Sequence, residues 1–220
     1  MLLIQREGPE TLKRRRAGFA RAFLLASMLA VAAGPGAAQS AERCQVTQAN
    51  GRVIVERGDV RARVVSGVLV QSGDTIVTRR GARATIRCTD GLSMVVGPQA
   101  RIDLDRLLRP ADAPPAMAGV DVFRGLVGFL RPGGRRDGFA VRTPSAVAAV
   151  RSTEWTVEVA DRATSAFVRD GALSIRAADR AVVLSPGDGI DVAADGTGGP
   201  VVQWGQARID GLSERLGPDW

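Results

Sequence analysis

Asp103 and Asp105 alternate along one short apolar run, and Glu154 and Glu158 would share one face of another. Paired carboxylates are what a glycosidase uses, one as acid and the other as base or nucleophile. These acids fall at strand ends, where Asp and Glu are ordinarily solvated turn residues, so they do not point to hydrolysis. Asp188, Asp191 and Asp195 could offer oxygen ligands to calcium, but neither an EF-hand nor a repeated Gly-Asp pattern surrounds them. Gly196-Thr197-Gly198-Gly199 lacks the lysine of a phosphate loop and follows no strand–helix unit. The chain has no His, no Tyr and a single Lys, Lys13. Without imidazole there is no Ser-His-Asp or Cys-His site. Without a lysine in the folded part there is no Ser-Lys dyad or Schiff base. Common zinc sites are also out of reach with two Cys and no His. The expectation is a non-enzymatic protein with no catalytic residues, no cofactor and no metal.

The N-terminus reads as an export signal. Arg6, Lys13, Arg14, Arg15, Arg16 and Arg21 form a basic region, followed by the apolar run Ala22 to Ala33. Pro35 and Gly36 break any helix, and Gly36-Ala37-Ala38 supplies the small residues that a signal peptidase reads, which puts cleavage near Ala38. The apolar run is too short to span a hydrocarbon core of roughly 30 Å, so an uncleaved anchor is the lesser alternative. A periplasmic location is therefore expected. The whole chain carries a formal charge of +7. Removal of residues 1–38 leaves 24 basic and 21 acidic side chains. Such dispersed charge with few aromatics does not favour a nucleic-acid partner. Arg131, Arg135 and Arg136 around Pro132-Gly133-Gly134 could touch peptidoglycan or anionic lipid. Cys44 and Cys88 in an exported protein read as one disulfide, worth roughly 4 kcal/mol in the chain-entropy account.

The elements that hold these residues follow a period of two, punctuated by glycine. Short apolar runs such as Val53-Ile54-Val55, Thr75-Ile76-Val77, Ala82 to Cys88 and Ser93 to Val96 are separated by turn signals at Gly58-Asp59, Gly73-Asp74 and Asp90-Gly91. After a Pro/Ala-rich break at 109–118 the style repeats, with Val120 to Phe123, Gly125 to Leu130, Phe139 to Arg142 and Glu154 to Val159. Ser165 to Arg169 and Ala172 to Arg176 then flank a turn expected at Asp170-Gly171, and Pro186-Gly187-Asp188 marks another. This spacing predicts an all-β fold, antiparallel-rich, either a sandwich or a short solenoid. Val68 to Thr78 and Val182 to Val192 look like distant copies of a strand, a Gly-Asp turn and a strand. Ile209, Leu212 and Leu216 lie on one face of a C-terminal helix that Gly217-Pro218 ends.

The residues then resemble a known family. Gly73-Asp74-Thr75-Ile76, Ala82 to Ile86 and Asp90-Gly91 look like the first half of a FecR domain. The run from Val141 through Thr143-Pro144 to Arg151-Ser152-Thr153-Glu154-Trp155 is similar to the family signature. The likeness covers roughly 46–193. The family motif positions are Gly73, Asp74, Asp90, Gly91, Thr143, Pro144, Arg151, Thr153 and Trp155, and Ser152 departs from the usual Gly. Their structural reading is that Thr143 and Thr153 satisfy backbone, Pro144 sets a turn and Arg151 bonds carbonyls at a strand crossing. The resemblance implies a periplasmic domain for sensing and protein–protein contact with an envelope partner. The best-known members are transmembrane regulators between an outer-membrane transporter and a sigma factor. Here about 20 residues precede the apolar run and about 27 follow Ala193, so a stand-alone exported FecR-like protein is expected. Its organisation is read as signal 1–38, β domain 39–196 and tail 197–220. An envelope structural protein and a membrane-tethered regulator are the alternatives.

Overall fold

The computed structural model describes residues 43–71, 73–104, 118–130 and 139–220. They belong to the unit Ser40–Trp220, the chain's other unit being Met1–Gln39. The expected signal, the Pro/Ala-rich break at 109–118 except Ala118, Asp105 and the loop of Arg131, Arg135 and Arg136 lie outside the described residues.

The first half of the described chain contributes β1 (Cys44–Asn50), β2 (Val53–Arg57), β3 (Val60–Arg63), β4 (Leu69–Val70), β5 (Asp74–Thr78), β6 (Arg83–Cys88), β7 (Ser93–Val96) and β8 (Arg101–Asp103). The second contributes β9 (Ala118–Leu130), β10 (Phe139–Arg142), β11 (Val147–Ala160), β12 (Ala163–Arg176), β13 (Ala181–Leu184), β14 (Asp188–Val192), β15 (Val202–Gln203) and α1 (Gln206–Leu216). The fold is all-β with one C-terminal helix among the described residues.

Register resolves the sheet into two layers. One runs β4-β1-β6-β7, then the second half of β9, the second half of β11, the first half of β12, β14 and β15. The other runs β3-β2-β5-β8, then the first half of β9, β10, the first half of β11, the second half of β12 and β13. Val46, Ile86, Met94, Val127 and Trp155 from the first layer join Val53, Ile76, Ile102, Val122, Val141 and Leu173 from the second in one buried cluster. Among the described strands only β9 and β10 pair in parallel. A solenoid stacks its coils mainly in parallel, so this register is that of a sandwich.

The long strands β9, β11 and β12 serve both layers because each bends once. Gly125 bends β9 at φ +90°, where a Cβ would overlap Ala100. Gly171 bends β12 at φ +85°, and β11 shifts register between Arg151 and Glu154. The turn expected at Asp170-Gly171 is thus a bend inside one strand, and the runs expected on either side are one strand. The same holds for the runs flanking Arg124. A glycine with positive φ can redirect a strand without reversing it when both sides keep their partners. Between the two bends β10 is wedged, paired with β9 on one side and β11 on the other.

Aromatics fill the core beside this wedge. Trp155 stacks on its cross-strand partner Phe129, with centroids 4.7 Å apart and planes at 15°, and Phe129 meets Phe139 at 5.9 Å. Each such burial contributes about 2 to 3 kcal/mol. Cys44 and Cys88 face each other across β1 and β6 and form the disulfide.

The outer face of the first layer is covered by the C-terminal helix. Leu212 and Leu216, buried, pack with Trp204 on Val95, Leu126 and Phe167. The division expected between 196 and 197 falls inside this unit, since Val192 bridges Gly198 and β15 pairs with β14. Arg215 clamps the helix to Glu158 on β11, with Nη2 to Oε2 at 2.8 Å. No helix among the described residues is long and apolar enough to cross a membrane.

Candidate interaction surface

The family-motif residues hold backbone together. Thr143 Oγ1 donates to the Ala146 carbonyl at 3.0 Å and accepts the Ala146 N–H at 2.9 Å. It also accepts from the buried Thr164 hydroxyl at 2.7 Å. Pro144 lies in this corner between β10 and β11. Thr153, buried, donates to the Ala172 carbonyl at 3.0 Å, where two residues of β11 oppose Gly171 alone. A buried carbonyl loosened by a bulge needs such a donor. Arg151 pairs in register with Ala172, and Ser152 lies within the same strand. Gly91, at φ +88°, closes the β6–β7 hairpin, with Asp90 accepting the Leu92 N–H at 3.1 Å. Asp74, buried, accepts the Gln71 N–H at 2.8 Å and takes both Arg57 nitrogens at 2.6 and 2.8 Å. Gly73 precedes it at φ +82°.

The remaining carboxylates are dispersed. Glu154 stands 4.0 Å from Arg169, while Glu158 holds Arg215. Asp188 takes Gln203 Nε2 at 2.6 Å, and Asp195 accepts the Thr197 N–H at 2.9 Å. Asp191 accepts from Ser165 and Arg208; the Arg208 guanidinium, with help from the Ser165 hydroxyl, holds this carboxyl below the usual carboxylate range. Among the described residues no three potential ligands gather as a metal site would require.

What the surface does offer is an open edge on the second layer. Among the described strands β3 pairs with β2 alone, and all four of its residues are exposed. The strand reverses from β2 through Gly58-Asp59, Gly58 having φ +55°. Val64 N–H donates to the Val53 carbonyl at 2.9 Å. Bonded pairs recur at every second residue of an antiparallel ladder. Val60 and Ala62 therefore turn their amides to β2, and Arg61 and Arg63 turn theirs to the open side.

Beside this edge lies a groove of about 490 Å³ lined by Arg52, Ile54, Arg61, Ala62, Arg63 and Arg79. Arg61 and Arg63 share the face of Glu56 and Ile54, their register partners. Glu56 is shared between Arg101 at 2.7 Å and Arg61 at 3.0 Å. The Arg101 hydrogen bond, with the charges of Arg101, Arg61 and Arg79, keeps the Glu56 carboxyl below its ordinary range against a smaller effect of burial. Among the described residues the Arg63 guanidinium donates to the Gly51 carbonyl, at 3.5 Å. Among the described residues neither Arg52 nor Arg79 has a carboxylate at ion-pair distance. The exposed apolar side chains Val60, Val65 and Leu69 belong to this stretch of chain. The motif positions did not include this surface. Its signal is the alternation Val60-Arg61-Ala62-Arg63 directly after a Gly-Asp turn, and exposure becomes legible only once strand order is known.

The signature residues thus secure the sandwich's own backbone, and among the described strands β3 leaves one side unpaired. Residues 74–174 match the family described as FecR protein. Among solved structures it is similar to a candidate anti-sigma factor from Parabacteroides distasonis ATCC 8503, in crystals at 2.50 Å and 1.65 Å resolution. Identity is 18% and 20%, with TM-scores of 0.48 and 0.47. Each match covers 58% of this chain and 57% of that one, so the chain spans a little over half the length of those proteins. No curated protein matches the chain.

Proposed function

We infer that this protein is a non-enzymatic, exported binding and sensing module of the FecR type that makes protein–protein contacts in the cell envelope. The observation that carries the reading is the open β3 edge. Its outward amides can take a partner strand, and its neighbours Val60 and Val65 remain exposed. The FecR domain supports a regulatory or sensing role. The Cys44–Cys88 disulfide supports an oxidising compartment, the periplasm, because such bonds persist there and are rare in the cytosol. The basic and apolar N-terminal segment, read as a cleaved signal, supports the same location.

A second reading has one observation in its favour. The arginines of the groove could hold peptidoglycan or an anionic lipid surface. A tethered regulator is the third, and it requires that the N-terminal segment stay attached. Photo-crosslinkers placed singly at Val60, Leu69, Val183 and Val202, on the outer strands β3, β4, β13 and β15, test the first reading in cells. A discrete envelope-protein adduct at one of these edges is the expected result. Absence of a protein adduct at every edge, with salt-labile retention on membrane or peptidoglycan, would overturn it in favour of the second. Full-length protein in the inner membrane would favour the third.

A further inference from the structure

We propose that the β3 edge and its arginine groove receive an extended acidic segment of a partner protein, one in which Asp or Glu alternates with apolar residues. The inference rests on the protein-binding reading above and specifies its site and the partner's chemistry. Four observations converge on it. The amides and carbonyls of Arg61 and Arg63 point away from β2, so an added strand finds hydrogen-bonding groups at every second residue. On one face of that strand, alternate side chains would meet Arg61 and Arg63. The same face opens on Arg52 and Arg79, which have no carboxylate at ion-pair distance among the described residues, around the apolar side chain of Ile54. On the other face the intervening side chains would meet Val60, which is 65% exposed.

Charge selects among occupants. Charged residues on an outer strand discourage pairing with a like-charged strand, so a second copy of β3 is excluded by its own Arg61 and Arg63. The chain's first 38 residues, with six basic and two acidic side chains, have the wrong sign. An anionic lipid surface would use the arginines but not the outward amides or the alternation.

The purified protein is titrated with a short synthetic peptide alternating Glu and Val, while the amide resonances of β2 and β3 are followed. Three comparison probes are a Lys-Val peptide, a peptide of the same composition with its Glu and Val in separate blocks, and phosphatidylglycerol vesicles. The alternating Glu-Val peptide is expected to bind, to shift the Arg61 and Arg63 amides most, and to weaken with salt. Arg63→Pro removes the outward N–H while keeping the pairing to β2, because proline is tolerated where an edge amide faces solvent. It is expected to abolish binding, whereas Arg63→Thr, which removes only the charge, weakens it by about tenfold or less. If Arg63→Pro disturbs the hairpin, Arg61→Ser with Arg63→Ser supplies the charge test on an unbroken strand.

Equal binding of the block peptide, or unchanged binding in Arg63→Pro, would overturn the proposal in favour of plain ion exchange. Binding of vesicles without the peptide would overturn it in favour of lipid. In cells, an adduct at Leu69, Val183 or Val202 but never at Val60 would sink this site and leave the binding module standing. Absence of a protein adduct at every edge would sink both.

Discussion

Asp74 and Asp188 close the same turn in two places. Each carboxylate accepts the N–H three residues back, from Gln71 at 2.8 Å and from Ser185 at 2.9 Å. Each backbone N–H donates to the carbonyl of that same residue, at 3.1 and 2.9 Å. Each turn carries the chain across the sandwich, β4 to β5 and β13 to β14, through a glycine of positive φ. The likeness of the two segments in sequence is therefore a likeness of corners.

The two corners differ in burial, and this sets their weights. Asp74 is 1% exposed and holds Arg57 with both oxygens, whereas Asp188 shares its charge with the exposed Gln203. Asp74→Ala is expected to cost about 2 kcal/mol or more, because charged hydrogen bonds are lost in a dry site. Asp188→Ala should cost about 1 kcal/mol or less. Urea unfolding of both variants checks the order; equal losses would refute the burial argument.

The helix is seated by glycines. A Cβ at Gly189 would overlap the Trp204 indole, and one at Gly128 the Trp220 ring. Gly189→Ala is expected to lose about 1 to 3 kcal/mol and to expose Trp204, seen as a red-shifted emission. Gly211, on α1, has open space where its Cβ would be. Gly211→Ala should instead stabilise by up to about 1 kcal/mol. Thermal unfolding of the two variants would reveal opposite signs.

The Asp191–Arg208 contact carries a pH dependence. Its carboxyl is held below the ordinary value of 3.8 by the Arg208 guanidinium first and the Ser165 hydroxyl second. A lowered folded-state value means that the stabilisation is complete above the ordinary value and is lost as pH falls through the lowered one. The stability gap between wild type and Asp191→Asn should therefore be constant near neutrality and close below about pH 4. Both side chains are about half exposed, so the gap is modest, about 0.5 kcal/mol, and shrinks in salt. Denaturant unfolding across acid pH measures it.

Reduction of Cys44–Cys88 frees a loop with a sequence separation of 44. The chain-entropy account gives a loss of about 4 kcal/mol. Cys44→Ala with Cys88→Ala should lower the unfolding midpoint accordingly while leaving the sheet's circular dichroism unchanged at low temperature. A double variant as stable as the parent would show that β1 is held by its ladder alone.

Much of this was legible locally. The Gly73-Asp74 and Pro186-Gly187-Asp188 turns, the pairing of Cys44 with Cys88 and the buried face of Leu212 and Leu216 follow from residue type and spacing. The bends at Gly125 and Gly171 were not legible, because positive φ is the same signal for reversing a strand and for redirecting it. Pairing partners far along the chain decide between the two. The β3 edge was hidden for a related reason. Arg61 and Arg63 alternate plainly in the sequence, yet only the order of strands shows that nothing among the described residues lies beyond them. Thr143 and Thr153 gained partners, the Ala146 and Ala172 backbone, that no motif could name.

Strand addition at β3 requires that this edge be open in the free protein. Residue-resolved amide hydrogen exchange tests this directly. Protected amides are expected at Val60, Ala62 and Val64, which face β2, and rapid exchange at Arg61 and Arg63, which face outward. Protection at Arg61 and Arg63 equal to that of their neighbours would mean the edge is already covered, and would contradict the central claim.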